Sequence, residues 1–330
     1  MPGSSGGGPQ NLRASAPGQY RAGGRVLALL EAPLNALVIR ALAEGPIRIA
    51  DLRKEVGFPA QTTLRGHLND LIAVGAVNKL ERRGMPYAVS HELSAEGQDL
   101  RFAVKVLAAW LAEAPQGEIK LGTDSAKGAV KGLAGGWDSA ILRALSAQPR
   151  SLTELDEMIS ALSYPSLERR LSSMRVTGQV EPAQGQGGQG TPYTVTDWVR
   201  RGVAPLCAAG RWERRHLPKQ TEPVGWVEVE AAFMLSLPLV KLPKRAKGEC
   251  VLAVDTKDPE QRIAGVHIVV EEGKIVSCRA ELKQHPPAYA LATAESWLEA
   301  VIDSKIDRLH MCGEDRIVQQ LVGGIHDALF

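Results

Sequence analysis

The segment Ile39–Leu52, IRALAEGPIRIADL, decides the reading, because Leu142–Leu155, LRALSAQPRSLTEL, repeats it 103 residues later. The same offset carries Leu64 onto Leu167, Leu68 onto Leu171, Gly75 onto Gly178 and Val77 onto Val180 without a gap. A register held this long marks an internal duplication, and two copies are too few for a solenoid. Further on, Gly84-Met-Pro-Tyr-Ala-Val-Ser recurs as Gly190-Thr-Pro-Tyr-Thr-Val-Thr at an offset of 106, which predicts three extra residues in the second copy.

Both copies predict the same elements. Apolar residues at helical spacing (Leu34, Leu37, Val38, Ala41; Trp137, Ile141, Leu142, Leu145) give a first helix, ended near Gly45-Pro46 and Gln148-Pro149. A short helix follows at Ala50–Val56 and Leu152–Ile159, the second opened by the capping box Ser151-x-x-Glu154. The third helix buries Leu64, Leu68 and Leu71, or Leu167, Leu171 and Met174, at i, i+4, i+7. Gly75 and Gly178 suit its C-terminal turn. A hairpin follows (76–82 with 87–92; 179–184 with 193–197), then a closing helix at Ala95–Leu111 and Trp198–Arg214.

Three helices, a two-stranded wing and a closing helix describe a winged helix-turn-helix. Gly-Trp-Asp-Ser-Ala-Ile-Leu-Arg-Ala-Leu at 136–145, the L-x-x-x-L-x-x-L third helix, and the wing end Pro-Tyr-x-Val-Ser/Thr with Gly97 and Trp110 beyond it resemble the HxlR-type transcriptional regulators. The resemblance covers roughly 25–113 and 135–216, once per copy. It departs from the usual single-domain, dimerising form, and the second closing helix contains Pro205.

The resemblance implies contact with double-stranded DNA through the third helix and the wing, the third helix offering polar side chains to major-groove base edges. The candidates are Gln61, Thr62, Thr63, Arg65 and Asn69 in the first copy, with Lys79, Arg82 and Arg83 on its wing for phosphate. In the second copy they are Tyr164, Pro165, Ser166, Arg169 and Arg170. Arg65 falls on Glu168 under the shift, so the copies are unequal. Two outcomes stay open: an operator with unlike half-sites, or a second copy kept as a built-in dimer partner. If the copies pair through their first and closing helices, with Trp110 and Trp212 near the seam, the recognition helices would read half-sites about 34 Å apart. The chain is then a monomer with an internal pseudo-dimer, or a homodimer.

Residues 225–330 change to period-2 segments (250–254, 263–270, 275–282), with a turn at Glu272-Gly273, and then two amphipathic helices around a short strand. With HPPAYALATAESWLEAVID before Gly313-Glu-Asp, this order resembles the sterol carrier protein type 2 family. That resemblance implies an α/β fold around an apolar tunnel, lined here by Val266, Ile268, Val270, Val276, Trp297, Leu298, Val301, Ile317 and Leu321, for a hydrophobic small-molecule effector.

The fold class is therefore multidomain α+β: a disordered Gly/Pro/Ser-rich tail (1–24), winged helix-turn-helix domains at 25–113 and 135–216, a linker at 114–134, and a sterol-carrier-like α/β domain at 217–330. Residues 1–216 carry 26 Lys+Arg against 20 Asp+Glu, and residues 217–330 carry 13 against 17, so the excess positive charge lies on the helix-turn-helix side. Four scattered cysteines, with no C-x-x-C pair, fit a reducing cytoplasm and exclude a disulfide scaffold. No apolar run is long enough to span a membrane, and the N-terminus has no secretory apolar region. Gly185-x-Gly187-x-x-Gly190 is followed by a strand, where dinucleotide binding needs a helix N-terminus. His310-x-Cys312 has no further ligand at useful spacing, and Asp255-x-x-Asp258-x-Glu260 lacks the calcium-loop glycine. No metal, no cofactor and no catalytic motif is expected, so the chain is not read as an enzyme. The alternative reading is a lipid or small-molecule carrier whose winged helices make protein–protein contacts.

Overall fold

The computed structural model describes residues 23–82, 88–134, 136–183, 190–217, 224–257, 261–283 and 285–330. The expected tail up to residue 22, Arg83, and the glycine-rich tip at 184–189 lie outside the described residues, as does the side chain of Arg82.

The N-terminal unit runs α1 (Gly24–Glu31), α2 (Pro33–Leu42), β1 (Ile47–Arg48), α3 (Ile49–Glu55), α4 (Gln61–Ala73), β2 (Val77–Arg82), β3 (Ala88–Leu93) and α5 (Ala95–Ala112). Its antiparallel sheet has the order β1-β3-β2. The middle unit runs α6 (Asp124–Ala134), α7 (Gly136–Ala144), α8 (Leu152–Met158), α9 (Tyr164–Val176), β4 (Val180–Pro182), β5 (Tyr193–Val195), α10 (Asp197–Arg201) and α11 (Val203–His216). Helices α3 and α4 carry onto α8 and α9 at an offset of 103, end for end. The buried stripes are those the periodicity picks out, with Leu64, Leu68, Leu71, Leu167, Leu171 and Met174 all at most 3% exposed. Gly75 and Gly178 turn the chain out of α4 and α9 at φ of 78° and 74°, a conformation that penalises a side chain.

The wing register corrects the motif alignment. Ser94 donates its amide to Ala76 O and its hydroxyl to Gly75 O, and its hydroxyl accepts from Gly97 N at the start of α5. Thr196 does the same with Gln179 O, Gly178 O and Val199 N at the start of α10. The equivalent of Thr196 is therefore Ser94, not Ser90. From this point the offset is 102, so the second copy is one residue shorter and not three longer. The repeated motif is real in sequence, but its valines, Val89 and Val195, sit at different places on the returning strand: Val89 pairs with Glu81 and Val195 with Val180.

The segment 114–134 is also more than a linker. Helix α6 buries Ala126, Ala129, Val130 and Leu133, at i, i+3, i+4, i+7. It is the counterpart of α1 and packs against it. Gly122, Gly128 and Gly132 made the stretch look soft, although the apolar spacing was present. The second closing helix is broken into α10 and α11 at Gly202. Pro205 falls in the first turn of α11, where no intrahelical donor is needed.

A seam of α1, α5, α6 and α11 joins the two units into one continuous core. Trp110 donates its indole N–H to Trp198 O at 2.8 Å, and Trp212 donates to Glu96 O at 2.7 Å. Residues 110 and 212, like 96 and 198, are equivalent at the 102 offset, so one bond is the image of the other. Trp198 also donates to Trp110 O at 2.8 Å, and their rings stack 4.6 Å apart. Burying a tryptophan requires a partner for its N–H, and the opposite unit supplies it in both cases. Around this centre, Glu113 pairs with Arg201 at 2.7 Å and Asp99 with His216 at 3.0 Å, acidic groups on α5 meeting basic groups of the middle unit. Glu213, 1% exposed, accepts from Gly23 N and Val26 N at 2.8 Å each and so caps α1. Burial raises its carboxyl above the ordinary carboxylate value, and those amides oppose the shift.

The C-terminal unit begins with α12 (Trp226–Ser236), followed by β6 (Gly248–Asp255), β7 (Ile263–Glu271), β8 (Lys274–Arg279), β9 (Ala288–Thr293), α13 (Ala294–Asp303), β10 (His310–Gly313) and α14 (Asp315–Leu329). The sheet order is β10-β9-β6-β7-β8, with β6 and β9 parallel and the other pairs antiparallel. Neither α12 nor β9 was visible as a sequence pattern. Strand β9 buries only Ala288 and Ala290, residues with no β preference.

Candidate functional site

Helix α4 lies on its leucine stripe and turns Gln61, Thr62, Thr63, Arg65 and Asn69 to solvent. Lys79 is exposed on β2 and pairs with Glu81 at 2.7 Å. In the middle unit Tyr164, Pro165 and Arg169 are exposed on α9, and Ser166 is half-buried and accepts from the Ser163 hydroxyl. The exposed polar face expected of a groove-reading helix is therefore present on α4, and more sparsely on α9. The solvent position after Leu64 is Arg65; after Leu167 it is Glu168.

Two polar side chains on these helices are tied back to their own unit. His67 is half-buried and donates Nδ1–H to Asn35 Oδ1 at 2.9 Å. Asn35, 2% exposed on α2, in turn donates to Leu29 O at 2.7 Å. Arg170, expected at base edges, is half-buried and bonds Asp138 of α7 at 2.9 Å. Under the 103 offset these are one pair: Asn35 corresponds to Asp138, and His67 to Arg170. Each brace holds the exposed helix to the second helix of its unit, α2 or α7, through an amide–imidazole bond in one copy and an ion pair in the other. A polar residue at the same place in both of these helices, with a polar partner 32 residues on, was the available signal.

Beneath the N-terminal wing, His91 is 6% exposed on β3, across from Lys79. Burial, with Lys79 adding to it, holds its imidazole below the usual histidine value. The residue in its place in the middle unit is Tyr193: Ile47 pairs with His91 as Arg150 bridges Tyr193.

Residues 29–118 match the HxlR-like helix-turn-helix family. The matched span holds α2 to α5, and so includes α4 and the β2–β3 hairpin. The chain is also similar to solved structures of the transcriptional regulator YodB from B. subtilis. The reduced form is 24% identical with a TM-score of 0.26, covering 27% of this chain and 87% of that one. The diamide-treated form has the same identity and TM-score and is covered to 88%. A structure described as the transcriptional regulator ytfH from Salmonella typhimurium is 28% identical with a TM-score of 0.25, covering 26% of this chain and 78% of that one. No curated protein matches the chain.

Outside the HxlR-like span, the molecule has a cavity of about 210 Å³. It lies between the middle unit (α6, α7, α10, α11) and the C-terminal unit (α12, β6, α13, α14). Of the residues expected to line a tunnel, Trp297, Leu298 and Val301 are on its wall. Val266, Ile268, Val270, Ile317 and Leu321 are packed in the C-terminal core and are not on that wall. Val276 is 53% exposed. The cause is a bulge: Val269 pairs with Ser277 but Val270 with Ile275, so Val276 is the extra residue and the alternation slips there. Cys207, also on the wall, is pushed up to about 12 by burial and stays a thiol at neutral pH. Among the described residues, no helix is long and apolar enough to cross a membrane.

Proposed function

We propose that the chain is a DNA-binding transcriptional regulator in which two tandem winged helices act as an intramolecular pseudo-dimer, with the C-terminal unit holding a small-molecule effector. The regulator part rests on the HxlR-like match over residues 29–118 and on the exposed polar face of α4. The observation that carries the pseudo-dimer is the reciprocal pair of indole bonds, Trp110 to Trp198 O and Trp212 to Glu96 O. Two unrelated neighbouring domains have no reason to exchange equivalent bonds at equivalent residues. In this reading α4 and α9 enter successive major grooves on one face of the duplex, and Arg65, Asn69 and Arg169 are the leading base or phosphate contacts. Arg170 is the brace of α9 to α7. A sterol-carrier-like C-terminal fold remains a proposal, supported by the order of strands and helices.

Selection of genomic fragments by the full chain, followed by footprinting, tests this. The expected footprint spans two half-sites one helical turn apart per single chain. With about six phosphate contacts, affinity falls on the order of a thousandfold between about 50 and 200 mM salt. Protection of a single half-site by a monomeric chain overturns the pseudo-dimer. Unchanged DNA retention after Arg65→Glu combined with Arg169→Glu overturns the assignment of both helices.

A further inference from the structure

The cavity beside the middle unit has the chemistry of a binding site. Leu142, Val203 and Leu206 form one side, and Phe233, Trp297 and Val301 the other. An apolar cavity of about 150 Å³ stays dry and takes up benzene, so this one has room for about eight non-hydrogen atoms. Among the described residues, its charged wall residues are Arg143, Arg214 and Glu228, and Ser139 and Ser236 add hydroxyls. Arg143 pairs with Glu228 at 2.8 Å, across α7 and α12. Arg214 pairs with Glu295 at 2.6 Å, across α11 and α13, and Glu295 is not on the wall. The arginines are only 11% and 14% exposed. Among the described residues the wall therefore shows two guanidinium groups, one carboxylate and two hydroxyls within a mainly apolar lining.

We propose that this cavity binds a compact apolar carboxylic acid, as its anion, with the carboxylate received by Arg214 and the hydrocarbon body against Phe233, Trp297 and Val301. A guanidinium has five N–H donors in a fixed fork, so Arg214 can serve Glu295 and a ligand together. The route to DNA is short. Helix α7 lines the cavity with Ser139, Leu142 and Arg143, and its Asp138 holds Arg170 of α9. A ligand that prefers one placement of α7 shifts the α9 helix by that preference. This last step rests on the regulator reading above; the binding site does not.

Calorimetric titration of the full chain with octanoate and phenylacetate, beside the neutral octanamide, tests the assignment. Saturable binding of a carboxylate is expected, weaker by about tenfold or more for octanamide and for Arg214→Gln. Ala232→Phe, which fills the lining from α12 and leaves every charge in place, should abolish binding while the chain keeps its helical content. Saturation by neither carboxylate overturns the site, equal binding of octanamide overturns the anionic assignment, and undiminished binding by Ala232→Phe overturns the location. DNA titrations with and without octanoate should differ by about fivefold or more, and by nothing in Ala232→Phe. Binding of octanoate by a chain that retains no DNA removes the regulator reading and leaves the site standing. Tight DNA binding indifferent to bound octanoate overturns the α7 route.

Discussion

The N-terminal and middle units share a scaffold up to the break at Gly202, yet differ at side chains that leave the core. Their leucine stripes and glycine turns coincide, and so do their hydroxyl caps Ser94 and Thr196. In contrast, the brace of the third helix is Asn35–His67 in one and Asp138–Arg170 in the other, and Arg65 faces outward where the other copy has Glu168. Two units of one plan can differ in charge while both keep their packing. Burial constrains size and shape, and the surface is free to specialise.

The largest effects should come from the seam. Trp110→Ala loses a fully packed indole, its bond and its stack, and should cost about 3–5 kcal/mol in denaturant unfolding. Trp212→Ala should cost less, because Trp212 has only a tilted contact with His216 at 5.0 Å where Trp110 has a parallel stack. Equal losses would show that the stack adds nothing to the symmetric bonds.

Next in size is DNA affinity. Arg65→Glu, which gives the N-terminal helix the middle unit's residue, should weaken retention by roughly 10- to 100-fold. The converse change, Glu168→Arg, should tighten binding and steepen the salt dependence by about one counterion. If Glu168→Arg has no effect while Arg65→Glu does, α9 stays off the DNA and the middle unit serves as the partner only.

A smaller difference lies under the wings. His91 has a lowered pKa, so the unfolded chain takes up a proton that the folded unit resists. Stability tied to neutral His91 is present above the ordinary histidine pKa, near 6.5, and is lost as the pH falls below it. Hydrogen exchange should therefore show the N-terminal wing loosening toward pH 5 while the middle wing holds. His91→Tyr, copying Tyr193, should remove the contrast. Smallest of all, replacing Asp138–Arg170 by Asn and His should change stability by less than about 1 kcal/mol, because both partners are about a third exposed. It should also remove whatever salt sensitivity distinguishes the middle unit in chemical unfolding.

Much of this comparison is legible in the sequence. The 103-residue register located α3, α4, α8 and α9, because a buried stripe needs large apolar residues at fixed spacing and cannot hide them. The capping box at Ser151 was equally plain, since both of its bonds are local. What escaped the sequence was set by distant contacts. Helix α6 is built from alanines and glycines that make sense only against α1. The wing register hinges on which hydroxyl reaches the carbonyls of Gly75 or Gly178. The bulge at Val276 reverses an alternation that looked regular. The cavity wall comes from α6, α7, α10, α11, α12, β6, α13 and α14, so no single stretch could announce it.

The charges around the tryptophan seam have a consequence of their own. Glu113 and Asp99 sit on one closing helix, while Arg201 and His216 sit on the other. Two N-terminal units brought together in the same way would set carboxylate against carboxylate, and two middle units would set Arg201 against Arg214 and Arg215 at the end of α11. Each half is thereby fitted to its opposite and repels its twin. Cut between residues 115 and 122 and expressed as separate polypeptides, the halves should assemble one to one and refuse to self-associate, a mating rule carried within a single gene.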